Sequence, residues 1–375
     1  MKIICFYLPQ FHPIPENDEW WGAGFTEWVN VAQSQPRFKA HYQPHIPADL
    51  GFYDLRLEET RIEQAKLAQK YGISGFCYYH YWFNGKLLLE RPFNDVLASG
   101  KPDFPFCLCW ANENWTRAWD GREDHILISQ KYDDQDNYNH ILWLINAFKD
   151  NRYIKIDNRP VFLIYRIDQI KNITQLIAQW RKTTQDFGFQ DIYLCAVKNN
   201  FTELSDQQIL SFGFDAIVDF QPNKNDYPEP HKLSGKFYKK IRNLVPKTIF
   251  DRFKNSLPVS YILSYGVMIE KLIKKVWPQN YIKFPCVFPS WDNSSRKKMA
   301  TIIQNEDPEI YKKWLFYAIK CVQKYPKQEQ LVFINAWNEW AEGCHLEPDK
   351  KMGHAFLVAT KNILQKGQSN ETSSN

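Results

Sequence analysis

The feature that most constrains this chain is its alternation. Eight short apolar runs, rich in β-branched and aromatic residues, recur along its 375 residues with helix-patterned stretches between them. The runs fall at Lys2–Leu8, Ile73–Tyr79, Phe104–Trp110, Pro160–Arg166, Asp191–Val197, Ala216–Phe220, Phe284–Phe288 and Gln330–Ala336. Most are continuous in hydrophobicity rather than alternating, as parallel strands buried on both faces must be. The spacing of apolar residues predicts helices over Leu55–Tyr71, Asn137–Phe148, Ile173–Phe187, Ser205–Phe212, Pro308–Lys324 and Gly353–Leu364. Repeated strand–helix units of this number point to an α/β fold, a (β/α)8 TIM-type barrel. An open doubly wound sheet is the alternative. It normally carries a glycine-rich phosphate turn after an early strand, and the sequence has no G-x-G-x-x-G or Walker-type loop. The expectation is one barrel over residues 1–366 and a disordered Ser/Asn-rich tail over 367–375.

Two segments exceed the minimal repeat. Phe11–Tyr53 forms a long first βα loop carrying His12, Glu19, Trp20, Trp21, Glu27, Trp28 and His45, and long loops inside compact domains are usually functional. Lys224–Lys283, between the sixth and seventh strands, holds 13 Lys/Arg against 4 Asp/Glu. It is therefore +9 in a chain whose net charge is +5, which leaves −4 for the rest. Within it, Lys236–Arg242 and Ile269–Trp277 interleave cations with large apolar side chains. On helices such stretches can lie in an anionic bilayer interface; the alternative is a solvated helical excursion covering the barrel. No run of about 18 apolar residues occurs, and MKIICFYLPQ lacks a signal-peptide pattern. The expected location is cytoplasmic, with peripheral membrane contact through 224–283. A charge of +5 is too mild to argue for nucleic acid. The eight cysteines sit mostly in apolar runs, the mark of reduced, buried thiols. Cys107 and Cys109 are too close for the usual zinc pair, and no H-E-x-x-H or EF-hand loop is present. No metal and no cofactor are expected.

Chemistry concentrates at the C-terminal ends of the strands, the active face of a barrel. Composition supports this, because 16% of residues are aromatic and flat rings in a groove hold sugars as well as fill cores. The last strand runs into FINAWNEWAEG, placing Asn335, Trp337, Asn338, Glu339, Trp340 and Glu342 at the mouth. Glu339 and Glu342, three residues apart, share a side if the chain turns helically there. Neighbouring carboxylates cannot both ionise freely, and an apolar setting raises one further, which suits an acid/base pair. The alternative is a solvated loop with two ordinary glutamates. The third strand ends in CWANENW, where Asn112, Glu113 and Asn114 lie between Trp110 and Trp115 as a candidate sugar clamp. Glu113 is also a candidate acid/base partner for Glu339. The second strand ends with Tyr79, His80 and Trp82, and the seventh is followed by Trp291 and Asp292. His12, Trp20, Trp21, Glu27 and His345 complete the set expected to touch substrate.

The stretches FYLPQFHPIPENDEWWGAGFTEW, GFCYYHYWF, CWANENWTRAWDG and AWNEWAEGCHLEP together resemble the WbsX-type proteins of bacterial surface-polysaccharide gene clusters, across essentially the whole chain. E-W-x-E-G followed by E-P is similar to glycoside hydrolase family 99, the endo-acting α-mannosidases and α-mannanases. The resemblance implies that Glu339 acts as base on a sugar 2-hydroxyl through a 1,2-anhydro intermediate. Glu342 then protonates the leaving oxygen and activates the incoming nucleophile. Cys344 and His345 depart from the hydrolase pattern, as does the basic insertion. The expected function is transfer or transglycosylation on α-linked sugars with retention, in O-antigen or capsule assembly, with an oligosaccharide or lipid-linked glycan as substrate. An endo-acting hydrolase and a non-catalytic glycan-binding barrel are the alternatives.

Overall fold

The computed structural model describes residues 1–117, 122–230, 232–233, 244–246 and 259–372. Eight parallel strands, β1 (Lys2–Tyr7), β2 (Gly75–Phe83), β3 (Phe106–Trp110), β4 (Arg159–Ile164), β5 (Tyr193–Lys198), β6 (Ala216–Asp219), β7 (Ile282–Val287) and β8 (Leu331–Ile334), pair in sequence order. β1 closes the ring by pairing with both β2 and β8, with Ile4 opposite Gly75 and Phe333. Outside lie α1 (Glu58–Lys70), α2 (Arg91–Ser99), α3 (Asp134–Phe148), α4 (Ile173–Asp186), α5 (Asp206–Ser211), α6 (Tyr265–Leu272), α7 (Pro308–Val322) and α8 (Ala355–Thr372). This is the (β/α)8 barrel that the alternation implied. Helix α8 continues through Thr372, into the stretch expected to be disordered; no proline interrupts it.

Closure depends on close approach at Gly75. A Cβ there would come within 2.7 Å of the Pro105 carbonyl oxygen and 2.9 Å of Ile154. Phe6, Tyr79 and Phe333 lie on β1, β2 and β8, and Tyr165 and Phe220 directly follow β4 and β6, yet neighbouring rings of this set pack 5.2–6.2 Å apart. Only the lumen lets these strands share a contact, so these rings plug the barrel beneath its mouth. Alternate residues point the other way, into the helical shell: the Tyr7 hydroxyl donates to Gln64 of α1 at 2.6 Å. All eight cysteines are buried and free.

The basic insertion splits into two parts. Lys236–Arg242 lies outside the described residues. The Ile269–Trp277 stretch does not present an apolar face for a bilayer, because α6 buries Met268, Ile269 and Leu272 against the barrel. Lys275 pairs with Asp226 at 2.7 Å, and the Trp277 indole donates to the Lys283 carbonyl. The first part of this segment is the end of the barrel's own sixth helix, whose buried residues meet the periodic demand of that packing, while Val276 beyond it is exposed. Ahead of it, Val259–Ser264 pairs in parallel with Met299–Gln304, which pairs with Trp291–Asp292. That small sheet joins the insertion to the loop after β7. Among the described residues, no helix is long and apolar enough to cross a membrane.

Candidate active site

The last strand ends, and Trp340–Glu342 makes one 3-10 turn closed by Gly343 in the left-handed region, at φ +54°. Gly343 packs so closely on Asp292 that an added Cβ would lie 3.0 Å from that residue's backbone nitrogen and Cβ. Glycine is thus required twice over, for backbone conformation and for space. The turn directs Glu339 and Glu342 at one side chain, Arg296 of the loop after β7. Its Nη2 donates to Glu339 at 3.0 Å and its Nη1 pairs with Glu342 at 2.9 Å. Its Nε donates to Glu27 at 2.6 Å, from the start of the short helix Glu27–Gln33 in the first loop. Three carboxylates therefore share one guanidinium.

Their environments differ. Glu27 is fully buried and its second oxygen has no hydrogen-bond partner. Glu339 is buried, whereas about a fifth of the Glu342 side chain is exposed. Burial pushes Glu339 up to about 8; Arg296 opposes the shift, while Glu342 and Glu27 add to it. Arg296 itself is held well above its ordinary value by the three acids, against its own burial. A protonated carboxyl beside another carboxylate is the electrostatic arrangement acid/base chemistry uses. Burial also raises the phenols of Tyr79 and Tyr81, with the charge of Glu339 adding to it, and that of Tyr227, with Glu342 adding to it. Tyr79, Tyr81 and Tyr227 therefore lie within electrostatic reach of the pair.

Arg296 is positioned from the first loop. The Arg37 guanidinium donates to the carbonyls of Ser294 and Lys298, each at 2.8 Å, and to that of Lys297, bracketing Arg296 on both sides. Behind the turn, buried Glu347 accepts from Tyr53 at 2.8 Å, Gln64 at 2.7 Å and the Trp340 indole at 2.7 Å. The acidic residue of the E-P pair thus ties the catalytic candidate's neighbour to both the first loop and α1.

Several residues expected to touch substrate are placed elsewhere. His80, Trp82 and Trp110 point outward into the shell. His80 bonds His140 of α3 at 2.9 Å and stacks on Trp143, which together with burial suits a neutral ring. Trp82 stacks on His140 and donates to Asp136, and Trp110 is wholly buried between His140 and Trp180. Asn112 is not a free sugar clamp; it exchanges hydrogen bonds with the Arg166 backbone at 2.7 and 2.8 Å, joining the ends of β3 and β4. Asn338 does the same for β8 and β1 through Leu8, and Asn335 donates to the Gln221 carbonyl. Asp292 accepts from His41 and Gln43, both at 2.7 Å, and against its burial the bond and charge of His41 hold it below the usual carboxylate range. Trp340 is buried, stacked 3.8 Å from His345. His12 is buried with Nδ1 against the Pro9 carbonyl, and burial lowers it to about 4. These side chains make packing or bracing contacts, though Asp292 also borders the cavity that Trp291 lines.

Other candidates remain accessible. Trp20 and Trp115 meet edge to face at 5.8 Å beside Tyr81, both half-buried. Trp21 packs on Phe25 beneath Arg117. Trp291 borders a 300 Å³ cavity. Glu113 accepts from Arg166 at 2.6 Å and is raised by burial while Arg166 pulls it down. Sequence reasoning missed Arg296 and Arg37, and marked Glu347 only as the acid of the E-P pair. The one available signal for Arg296 was electrostatic: three acids converging on one mouth require a cation.

Comparison with known proteins agrees with this architecture. Residues 3–360 match the family model described as Glycosyltransferase WbsX. The chain is 40% identical over 364 residues to the WxcX proteins of two Xanthomonas campestris pv. campestris strains, each described as uncharacterized. That match covers 96% of this chain and 49% of those, so the chain spans about half the length of the curated relatives it matches. Among solved structures, a GH99 endo-alpha-mannosidase from Bacteroides thetaiotaomicron superposes with TM-score 0.57 at 14% identity, covering 99% of this chain and 98% of that one. A structure described as a glycoside hydrolase-like protein gives 0.55 at 14% identity, covering 96% and 93%. These last two share the fold. With its whole barrel, its E-W-x-E-G turn and its first-loop motif inside the matched span, the chain belongs to the WbsX glycosyltransferase family.

Proposed function

We propose that this barrel makes or breaks α-glycosidic bonds with retention, and that Glu339 and Glu342 carry the chemistry. The observation behind the reading is the single guanidinium shared by Glu27, Glu339 and Glu342 at the C-terminal end of the barrel. A glycan-binding module has no need to confine three acids around one buried cation. In the first step Glu339, once ionised against the burial that raises it, removes the proton of the sugar 2-hydroxyl, and that oxygen attacks C1 as the glycosidic bond breaks. Glu342 gives its proton to the departing oxygen. In the second step Glu342 takes a proton from the incoming hydroxyl, which attacks C1 and opens the three-membered ring. The 2-oxygen regains its proton from Glu339. Two inversions at C1 give net retention. Either water or a sugar hydroxyl serves as acceptor; the family's description supports transfer.

Proton NMR of a reaction with α-manno-oligosaccharides and a sugar acceptor tests this. The first-formed product should be the α anomer, with acceptor-linked product outgrowing hydrolysis as acceptor is raised. A β product formed first would overturn the retaining reading.

The setting we propose is surface-polysaccharide assembly on the cytoplasmic face, with a lipid-linked glycan as substrate. The +9 charge of 224–283 supports peripheral contact with anionic lipid, at about 1 kcal/mol for each cation that reaches the surface. With α6 committed to the barrel, Lys236–Arg242 is the stretch left for that role. Co-sedimentation with anionic vesicles should fall as salt rises, and neutralising Lys239, Lys240 and Arg242 should abolish it. Equal sedimentation with neutral vesicles would refute the contact.

A further inference from the structure

No metal-ligand motif is legible in the sequence, yet the fold assembles one. His45 of the first loop and His345 of the last lie 300 residues apart in sequence, with Nδ1 of the one 2.9 Å from Nε2 of the other. The Asp349 Oδ2 faces both, 4.0 Å from His45 and 3.8 Å from His345. All three residues are buried. A carboxylate that served only as hydrogen-bond acceptor would approach a ring N–H to about 2.7–3.0 Å; this one bonds neither ring. The point equidistant from three atoms at these separations lies about 2.1 Å from each, which is the bond length zinc makes to imidazole nitrogen and carboxylate oxygen.

We propose that His45, His345 and Asp349 bind a zinc-class divalent ion that clips the first βα loop to the loop after β8. The surrounding bonds support it. His345 Nδ1 lies 2.9 Å from the Glu347 carbonyl, so that nitrogen carries the proton and Nε2 presents its lone pair inward, the usual outer-shell arrangement of a ligating histidine. Asp349 Oδ1 accepts from the backbone nitrogens of Lys351 and Met352 at 2.9 and 2.5 Å, which aims Oδ2 at the rings. In the metal-free arrangement the proton between the two rings therefore sits on His45 Nδ1, and binding the ion moves it to that ring's Nε2. Two nitrogens and one oxygen suit zinc better than calcium or magnesium, which prefer oxygen ligands. A fourth position is accessible: the pocket containing all three residues shares His45, Ser290, Glu306 and Met352 with the adjoining 300 Å³ cavity. Lys351 is the nearby opposing cation, and Glu306 pairs with it at 2.6 Å.

The two loops already bond backbone to backbone, Ala48 nitrogen to the Pro348 carbonyl and Lys350 nitrogen to that of Ile46, each at 2.9 Å. The ion would fasten the same seam. Through the stack of Trp340 on His345, it would brace the turn that carries Glu339 and Glu342.

The test uses untagged full-length protein, stripped with a chelator and titrated with Zn2+ and, separately, Co2+. The expected result is one equivalent bound, a rise in melting temperature, and visible Co2+ absorption of four-coordinate intensity. His345→Gln should weaken binding by more than the ~10–100-fold typical of losing an outer-shell partner. Asp349→Asn keeps the Oδ1 acceptor and should fold while losing most of the zinc-dependent thermal shift. His354→Gln, at a histidine outside the cluster, should bind as the parent does. Absence of saturable uptake of either ion, or uptake unchanged in Asp349→Asn and His345→Gln, would overturn the site and leave a simple hydrogen-bonded histidine pair.

Discussion

Glu339→Gln and Glu342→Gln are each expected to slow turnover at least ~100-fold, the usual contribution of a positioned acid or base. Both changes keep size and hydrogen-bonding reach, so the effect isolates proton transfer from packing. Near-parent activity in Glu342→Gln would remove it from the mechanism. The pH dependence separates the roles. Burial, outweighing the pull of Arg296, pushes Glu339 up to about 8, so kcat/KM should climb with pH up to about 8 if it is the base. A fall in kcat/KM through the same range would instead make Glu339 the acid. The same shift sets a stability trend. A carboxyl whose folded value lies above its unfolded one stabilises the fold below the ordinary glutamate range, and that contribution is lost as pH rises through about 8.

Arg296→Leu is expected to cost about 3–5 kcal/mol, because removing one partner of a buried ionic cluster leaves the others uncompensated. For a chain of this length that is a fall in melting temperature of about 4–6 °C. Glu27 would suffer most: its only hydrogen-bonded oxygen is the one Arg296 reaches, and the other is already buried without a partner. Acidification should recover part of the loss, since protonated carboxyls do not repel. Activity should fall as well, because Arg296 orients both catalytic candidates. Arg296→Lys cannot reach three carboxylates from one ammonium and should recover little. If Arg296→Leu melts as the parent does and keeps its activity, the cluster is incidental to both stability and catalysis.

The sequence by itself determined the barrel. Its eight apolar runs match the eight strands in order, because a parallel strand covered on both faces must be apolar throughout. It also marked Glu339, Glu342 and Gly343 as one turn, through the E-W-x-E-G stretch that carries the resemblance. That same continuous hydrophobicity concealed which way each side chain points. Tyr79 and His80 are neighbours on β2, yet one enters the lumen beside Phe6 and the other packs on α3. An alternating strand would have revealed this parity; a doubly buried one does not. Hence His80, Trp82 and Trp110 could be assigned to the strand ends but not to a face. Tertiary structure alone decided the rest. Arg296 with Glu27, and His45 with His345 and Asp349, are brought together by loop closures across the barrel mouth, and no local pattern encodes contacts between residues so far apart along the chain.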